Sequence, residues 1–274
     1  MSLSSSNTTP EAVVVSASSV TPNAAPTPTP NPSKYSLKHR ILMCLALPVW
    51  AFLGFMLAQA LIIVLVEVLQ KIGVPLDQIG DSVFQTIAGA VIYTLTLFIV
   101  IGVPWLVKKA RTTKEELGMQ RLPSLMDFVW VPAGAVVYLV LTAVVTALAM
   151  SFLTFVDYDQ VQDTGFTNMG AQSEYILAFI MLVVIAPIAE ELLFRGYLFG
   201  KLRKYAPLWI SILITSVLFG IVHLAWNVGL DVFALSIVLC LLRVVSGSLW
   251  PSIMLHMLKN SVAFYFLFIS PITG

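Results

Sequence analysis

The sequence predicts an all-α fold, a polytopic bundle of about seven transmembrane helices with an active site buried among the last four. Apolar residues make up 58% of the 274 residues and charged residues only 11%, whereas about a quarter of the residues in a soluble domain are charged. Residues 41–66, 82–107 and 128–156 contain no Asp, Glu, Lys or Arg. Each of these runs exceeds the roughly 20 residues that span a bilayer, and a soluble core does not require uncharged runs of that length.

Seven apolar segments can be drawn along the chain, at about 41–66, 82–107, 128–155, 174–203, 207–229, 231–247 and 251–270. The sixth segment has only about 17 residues, so we expect it to stop short of the membrane surface. The following turn, residues 247–251, should then dip into the membrane and line a cavity buried in protein. We expect the charged connection at 108–127 to form a short amphipathic piece at the cytoplasmic surface.

Composition divides the chain into three regions. Nineteen of the first 33 residues are Ser, Thr or Pro, so residues 1–34 are predicted to be a disordered tail. Residues 35–170 hold three spans without acidic, basic or histidine side chains, and we interpret them as scaffold. Residues 171–274 carry the unusual polar residues of the membrane region.

The distribution of Lys and Arg predicts the orientation. The flank before the first span has three basic residues and the connection at 108–127 has five, whereas the connection at 156–173 has none. Cytoplasmic loops collect positive charge, so we expect a cytoplasmic N-terminus and a C-terminus on the opposite side. We expect an integral multi-pass protein of a bacterial cytoplasmic membrane, with an internal eukaryotic membrane as the alternative.

Net charge and cysteine content exclude some classes of function. The formal net charge is +1, which argues against nucleic acid as a partner. Cys44 and Cys240 both fall in apolar segments, and two isolated cysteines give neither a disulfide framework nor a metal-binding spacing.

Charged, histidine and asparagine side chains interrupt the apolar pattern beyond residue 174. A charge at the bilayer centre costs at least about 2.5–3.5 kcal/mol, so such residues usually face a cavity or one another. Lys259 can either snorkel or pair with an acidic group. The residues concerned are Glu190, Glu191, Arg195, His223, His256, Lys259 and Asn260.

The first group of these residues lies in A-P-I-A-E-E-L-L-F-R-G, residues 186–196. Glu191 and Arg195 are four residues apart, so they can form an ion pair on one helix face. Glu190 points about 100° away and is free to meet another helix. The alternative is a structural acidic turn that Arg195 neutralises.

The other two groups are predicted to lie at a similar depth. With a rise of about 1.5 Å per residue, Glu190, His223 and His256 come out roughly 20, 24 and 18 Å above the cytoplasmic end. His256 and Asn260 share a helix face and could donate to a developing oxyanion. A glutamate that takes a proton from water, with His223 orienting that water, would complete a site for amide hydrolysis. His223 alone could equally be a histidine that bonds a neighbour.

Three motifs resemble those of the CPBP intramembrane proteases, the family of CAAX prenyl endopeptidases and of bacteriocin-processing and immunity proteins. They are E-E-L-L-F-R (190–195), F-G-I-V-H (219–223) and G-S-L-W-P-S-I-M-L-H-M-L-K-N (247–260). The resemblance covers roughly residues 174–270 and implies that 171–274 is a catalytic membrane core. It implies catalytic roles for Glu190 as the base, for His223 as its partner and for His256 and Asn260 as the oxyanion site. Supporting roles are implied for Glu191, Arg195 and Phe219.

The resemblance further implies an endopeptidase that hydrolyses a peptide bond of a membrane-associated protein or peptide, prenylated CAAX-type proteins included, with membrane lipid as its surroundings. We favour a site without a cofactor; zinc held by His223, His256 and Glu190 is the alternative. A non-catalytic membrane scaffold, such as an immunity or secretion factor, is the second hypothesis for function. A proton-coupled transporter is the third, although no inverted repeat is visible.

Overall fold

The structure is a computed structural model. The part of the chain that it describes contains eight α-helical segments. It describes residues 32–270 apart from 110, 159, 161–163 and 167–168, and those residues contain no β-strand. The helices are α1 (Leu37–Lys71), α2 (Asp81–Val107), α3 (Lys114–Leu117), α4 (Leu125–Phe152), α5 (Gln172–Leu202), α6 (Leu208–Ile221), α7 (Trp226–Ser246) and α8 (Trp250–Ile269). The all-α class is confirmed. The predicted disordered tail lies outside the described residues except for a 3-10 turn at Pro32–Lys34.

Six of these helices are long and apolar enough to cross a membrane, namely α1, α2, α4, α5, α7 and α8. The remaining apolar helix, α6, has only 14 residues. Large apolar side chains on α1 and α4 are exposed, for example Leu53 and Leu139 at 54% and 61%, as expected for helices that face lipid rather than water. The protein is therefore a multi-pass membrane protein, and the prediction of about seven apolar helices agrees with the structure.

One predicted boundary is wrong. The break between the fifth and sixth helices lies at residues 222–225, not near residue 230, so α7 has a full 21 residues and α6 is the short helix. Apart from His223 the connection is apolar, so hydropathy did not separate it from the flanking helices. Gly229 lies within α7 because the backbones of α6 and α7 approach closely there. A Cβ added to Gly220 would lie 2.9 Å from the carbonyl oxygen of Gly229.

Helix α7 lies at the centre of the second half of the bundle and packs against α4, α6 and α8. Its buried Leu235, Leu239 and Leu242 meet Leu255 of α8 and the side chain of Tyr138 on α4. A separate apolar cluster joins α1, α2, α5 and α6. The two clusters fix the helices whose polar side chains meet at the site.

One end of the bundle is closed by the residues around α3. Thr113 caps this short helix by accepting from the Glu116 N–H. Lys201 Nζ lies 2.7 Å from Glu116 Oε2, and Lys204 pairs with the same carboxylate. Partial burial raises the pKa of Glu116, but the hydrogen bonds from Lys201 and Lys204 outweigh it and keep that pKa below its usual value. Arg40 Nε donates to the Tyr205 carbonyl at the same end.

The turn between α7 and α8 is buried against this segment. Leu249 N–H donates to the Gly118 carbonyl at 2.9 Å, and Trp250 Nε1 donates to the Arg121 carbonyl at 2.8 Å. Ser248 and Leu249 are fully buried. Gly118 has a φ of +79° and no room for a Cβ beside the Arg243 guanidinium. The turn is thus covered by protein, and the connection at 108–127 is what covers it. The prediction that it lines a cavity is wrong: α7 has 21 residues rather than about 17, and none of residues 247–251 lines the cavity described below.

Candidate active site

Glu191 lies at the centre of a buried chain of three ionisable side chains. Its Oε1 accepts from Arg195 Nη1 at 2.7 Å, one helical turn away on α5, and lies 2.9 Å from Nδ1 of His256 on α8. The Arg195 and Glu191 side chains are 0% exposed and that of His256 is 3% exposed. Because a carboxylate only accepts, His256 Nδ1 carries the proton. Glu191 therefore fixes the imidazole ring of His256 so that its Nε2 faces Glu190.

Glu190, the adjacent residue, points into a cavity instead. Tyr93 Oη on α2 donates to Glu190 Oε1 at 2.5 Å. The other oxygen, Oε2, lies 3.7 Å from His256 Nε2. The Glu190 side chain is 16% exposed. One oxygen of the carboxylate is thus held by a tyrosine, and the second faces the histidine and the open space.

His223 lies just after α6, in the tight connection to α7. Its Nδ1 is 2.7 Å from the Phe219 carbonyl oxygen, which can only accept, so Nδ1 carries the proton and Nε2 is left with a lone pair. The close contact of Gly220 with Gly229 makes this connection possible.

The Phe219 ring is shared by three of the polar side chains. The Arg195 guanidinium carbon lies 4.2 Å from its centroid. The imidazole rings of His223 and His256 meet it edge to face, with centroids 5.0 and 5.8 Å away. This fully buried ring separates Arg195 from the cavity and packs the two histidines at a fixed angle.

Asn260 is held by an irregular turn of α5. Residues 180–185 form a wide π-helical turn in which the Ala186 N–H bonds to the Met181 carbonyl. The next bond of that series would join Pro187 to Leu182, but proline has no N–H. In place of the missing proline N–H, the Asn260 Nδ2 donates to the Leu182 carbonyl at 2.9 Å. One further N–H and the amide oxygen of Asn260 remain for other partners.

A cavity of about 310 Å³ lies between these side chains. Helices α1, α2, α5, α6, α7 and α8 all contribute to its wall, and most of the lining is apolar, including Phe52 and Phe55 of α1 and Phe268 of α8. The polar lining residues are Tyr93, Thr164, Glu190, His223, His256, Lys259 and Asn260. The structure thus brings all four residues predicted as catalytic to one cavity, whereas Glu191, Arg195 and Phe219 lie behind them.

Lys259 has an acidic partner in the membrane region. Its Nζ lies 3.2 Å from Asp231 Oδ2 on α7. Asp231 Oδ1 accepts from Tyr138 Oη at 2.6 Å and from Thr142 Oγ1 at 2.9 Å, both on α4. The question left open by the sequence, whether this lysine snorkels or pairs, is answered in favour of pairing.

The donor set gives little support to a zinc site. Within the described ranges, no three His, Cys, Asp or Glu side chains are grouped as a metal site requires. The bonds of His256 Nδ1 to Glu191 and of Glu190 Oε1 to Tyr93 leave His256 Nε2 and Glu190 Oε2 open, so these bonds do not count against a metal. The chemistry below is therefore derived without a metal, and the metal-free reading remains a prediction.

Tyr93 and Asp231 are the site residues that the sequence alone did not reveal. Tyr93 belongs to a span interpreted as scaffold, and tyrosine is common enough in membrane helices to attract no attention. Asp231 stood at a predicted helix boundary. An acidic residue at the first position of the segment drawn at 231–247, which is five residues into α7, was the one available signal.

Comparison with known proteins agrees with the motifs. Residues 172–262 match the family model of the Rce1-like type II CAAX prenyl endopeptidases. The UPF0177 protein YxdF of Lactococcus lactis is 30% identical over 134 residues, which cover 49% of this chain and 70% of that protein. No solved structure matches the chain.

Two further relatives match over shorter stretches. An uncharacterized 24.3 kDa protein of Escherichia coli is 31% identical over 98 residues, covering 34% of this chain and 45% of that protein. A Bacillus subtilis protein named "Putative membrane peptidase YdiL" is 32% identical over 85 residues, covering 31% and 35%. With the family model and the similarity to YxdF, these matches confirm the resemblance drawn from the three motifs: the chain belongs to the CPBP family.

Proposed function

We propose that the protein is an intramembrane endopeptidase that hydrolyses a peptide bond of a membrane-associated protein or peptide, with CAAX-type proteins as the model substrate class. One observation carries the proposal. A carboxylate in a cavity within the membrane-spanning bundle is anchored through one oxygen by Tyr93, while its second oxygen lies 3.7 Å from a histidine. A membrane protein rarely keeps such a group inside its span unless the group has a function.

The proposed base is Glu190. Its free Oε2 takes a proton from a water molecule, and the lone pair of His223 Nε2 accepts the second water hydrogen and so orients the attack. The water oxygen forms a bond to the carbonyl carbon while the carbonyl π electrons move to the oxygen. The proton held by Glu190 then passes to the departing amine as the C–N bond breaks, which restores the carboxylate.

The proposed oxyanion site is His256 with Asn260. Glu191, held by Arg195, accepts from His256 Nδ1. In the proposed reaction the ring also carries a proton on Nε2, and this Nε2–H donates to the developing oxyanion. The second N–H of Asn260 supplies another donor. Both side chains lie on one face of α8, so their relative position is set by the helix.

The test compares the membranes of cells that produce wild-type protein, Glu190→Gln or Glu67→Gln, the last being a matched change at an exposed glutamate. Peptide termini are mapped by mass spectrometry. We expect new termini with wild type and Glu67→Gln, and their absence with Glu190→Gln at equal protein level. Identical termini in all three would instead support a non-catalytic scaffold with this fold.

We propose that the reaction needs no metal. Activity of the purified protein should then survive exhaustive chelation, and the protein should contain much less than one equivalent of zinc. His256→Ala should lower kcat by about 10²–10³-fold, as loss of an oxyanion donor does, without changing the metal content. One equivalent of zinc that is lost in both His223→Ala and His256→Ala would overturn this proposal.

We also propose that the end closed by α3 faces the cytoplasm of a bacterial cell. Arg40, Lys201 and Lys204 gather at this end of the bundle, and positive charge marks the cytoplasmic side. At the opposite end, Asn227 Nδ2 donates to the Gln160 carbonyl, in a connection without Lys or Arg.

A further inference from the structure

Two arginines at the end of the bundle closed by α3 have no acidic partner. Arg203 directly follows α5, and Arg243 lies near the end of α7. Both residues are partly buried, and neither guanidinium forms an ion pair within the described part of the chain. The Glu116 carboxylate at this end is already shared by Lys201 and Lys204. The proposed reaction uses neither arginine.

The Arg243 guanidinium is only partly satisfied by protein groups. Its Nη2 lies 3.4 Å from the Glu115 carbonyl oxygen and 3.3 Å from that of Glu116, beyond the roughly 2.7–3.2 Å of most N–H···O bonds. Its Nε is buried without a partner among the described residues, where Gly118 packs against it. Its Nη1 has no hydrogen bond to a described residue either and, unlike Nε, it is accessible.

The Arg203 guanidinium lies beside Arg243. Its central carbon is 5.9 Å from the centroid of the Phe199 ring, and Phe199 belongs to the same apolar cluster as Val244, the neighbour of Arg243. Burial lowers the pKa of Arg203, and the positive charges of Arg203 and Arg243 are close enough to repel each other. An anion that reaches both arginines would replace this repulsion by two attractions.

The surroundings of the two arginines face lipid. Helices α6 and α7 are joined by a short connection and pack together, so the start of α6 and the end of α7 lie at the same end of the bundle. Trp209 and Val245 at these positions are 66% and 55% exposed. Tryptophan is enriched where a membrane helix reaches the headgroup region. The anions closest to the arginines are therefore the phosphates of lipid headgroups.

We infer that Arg203 and Arg243 form a binding site for the phosphate of an anionic lipid headgroup, with the acyl chains along the exposed side of α6 and α7. Guanidinium groups bind phosphate through paired N–H donors, and basic sites between membrane helices are typical of anionic headgroup binding. A lipid bound here links the ends of α5 and α7 and, through Arg243, the carbonyl groups of α3. The inference is independent of the proposed peptidase function.

The test measures thermal unfolding of delipidated protein in a neutral detergent. Dioctanoyl phosphatidylglycerol, dioctanoyl phosphatidylcholine and glycerol 3-phosphate are each titrated, since a ligand of the folded state raises Tm. We expect phosphatidylglycerol to act at a concentration at least about 5-fold lower than phosphatidylcholine, the factor that one basic residue contributes toward anionic lipid. Glycerol 3-phosphate should have no effect at these concentrations, because it lacks the acyl chains.

Three variants separate lipid binding from folding. Arg203→Gln removes a guanidinium that has no hydrogen bond to a described residue, so without lipid its Tm should equal or exceed that of wild type. It should need at least about 5-fold more phosphatidylglycerol for the same rise in Tm. Arg243→Gln should weaken the response similarly, and Arg243→Lys should keep part of it. The matched control is Arg111→Gln, at an exposed arginine of the same end, which should respond as wild type.

Three results would overturn the inference. The first is an equal response of wild type to phosphatidylglycerol and phosphatidylcholine. The second is an equal loss of response in Arg203→Gln, Arg243→Gln and Arg111→Gln, which would show diffuse attraction to a basic surface. The third is a response to glycerol 3-phosphate as strong as that to phosphatidylglycerol, which would assign the two arginines to a soluble phosphate.

Discussion

The buried chain from Arg195 through Glu191 to His256 allows a quantitative prediction. Glu191→Met removes the carboxylate at nearly constant length and leaves the Arg195 guanidinium, which is 0% exposed, without an anion. Breaking a buried pair from one side costs about 3–5 kcal/mol, a large part of the 5–15 kcal/mol that typically stabilises a fold. At about 2–4 °C per kcal/mol for a protein of this size, Tm should fall by roughly 6–20 °C.

The assay is thermal unfolding in detergent of wild type, Glu191→Met, Arg195→Met and the double variant. The double variant contains neither charge, and apolar replacements of buried pairs are often close to neutral. Its remaining cost is the orphaned His256 Nδ1, about 1–3 kcal/mol. We therefore expect the double variant to be more stable than Glu191→Met, but inactive, because His256 has lost the group that orients it.

Additive losses would refute this reasoning. If the double variant were destabilised by the sum of the single changes, about 6–10 kcal/mol, the two charges would not be coupled. If the double variant kept wild-type activity, Glu191 would have no part in orienting His256.

Three other predictions concern residues other than Arg195, Glu191 and His256. Tyr93→Phe removes a hydrogen bond to the Glu190 carboxylate, worth about 1.5–3 kcal/mol. It should lower kcat about 10- to 150-fold with little change in KM, and an unchanged kcat would remove Tyr93 from the site. Gly220→Ala places a Cβ 2.9 Å from a carbonyl oxygen of the facing helix, so Tm and activity should both fall, whereas Gly80→Ala, in open space, should change neither. Cysteines introduced at positions 115 and 160 of a cysteine-free protein should react with an impermeant reagent from opposite sides of the membrane; labelling from one side would refute the topology.

Local spacing explains which parts of the site could be predicted. Glu191 and Arg195 are four residues apart in one helix, so their pairing follows from helix geometry alone. The same holds for the shared face of His256 and Asn260. Ionisable residues inside apolar helices can also be recognised from the sequence, because their desolvation is costly and they are usually kept only for a function.

Contacts between distant helices could not be predicted in the same way. Tyr93 meets Glu190 across 97 positions of sequence, and Tyr138 meets Asp231 across 93. No spacing rule applies at such separations, and neither tyrosine looks unusual in an apolar helix. The connection 222–225, which is apolar apart from His223, was missed for a related reason, since hydropathy measures transfer to lipid and not backbone conformation.

The 14 residues of α6 imply a local deformation of the bilayer. Such a helix is about 21 Å long, roughly 9 Å less than the average hydrocarbon thickness of about 30 Å. Beyond its end, the side chains of Leu224 and Trp226 are 89% and 61% exposed. We therefore expect the bilayer to be thinner along this flank, at a modest cost per ångström. The match between protein and bilayer should therefore depend on acyl-chain length. Short-chain lipids match the length of the protein surface beside His223, whereas long-chain lipids must deform there.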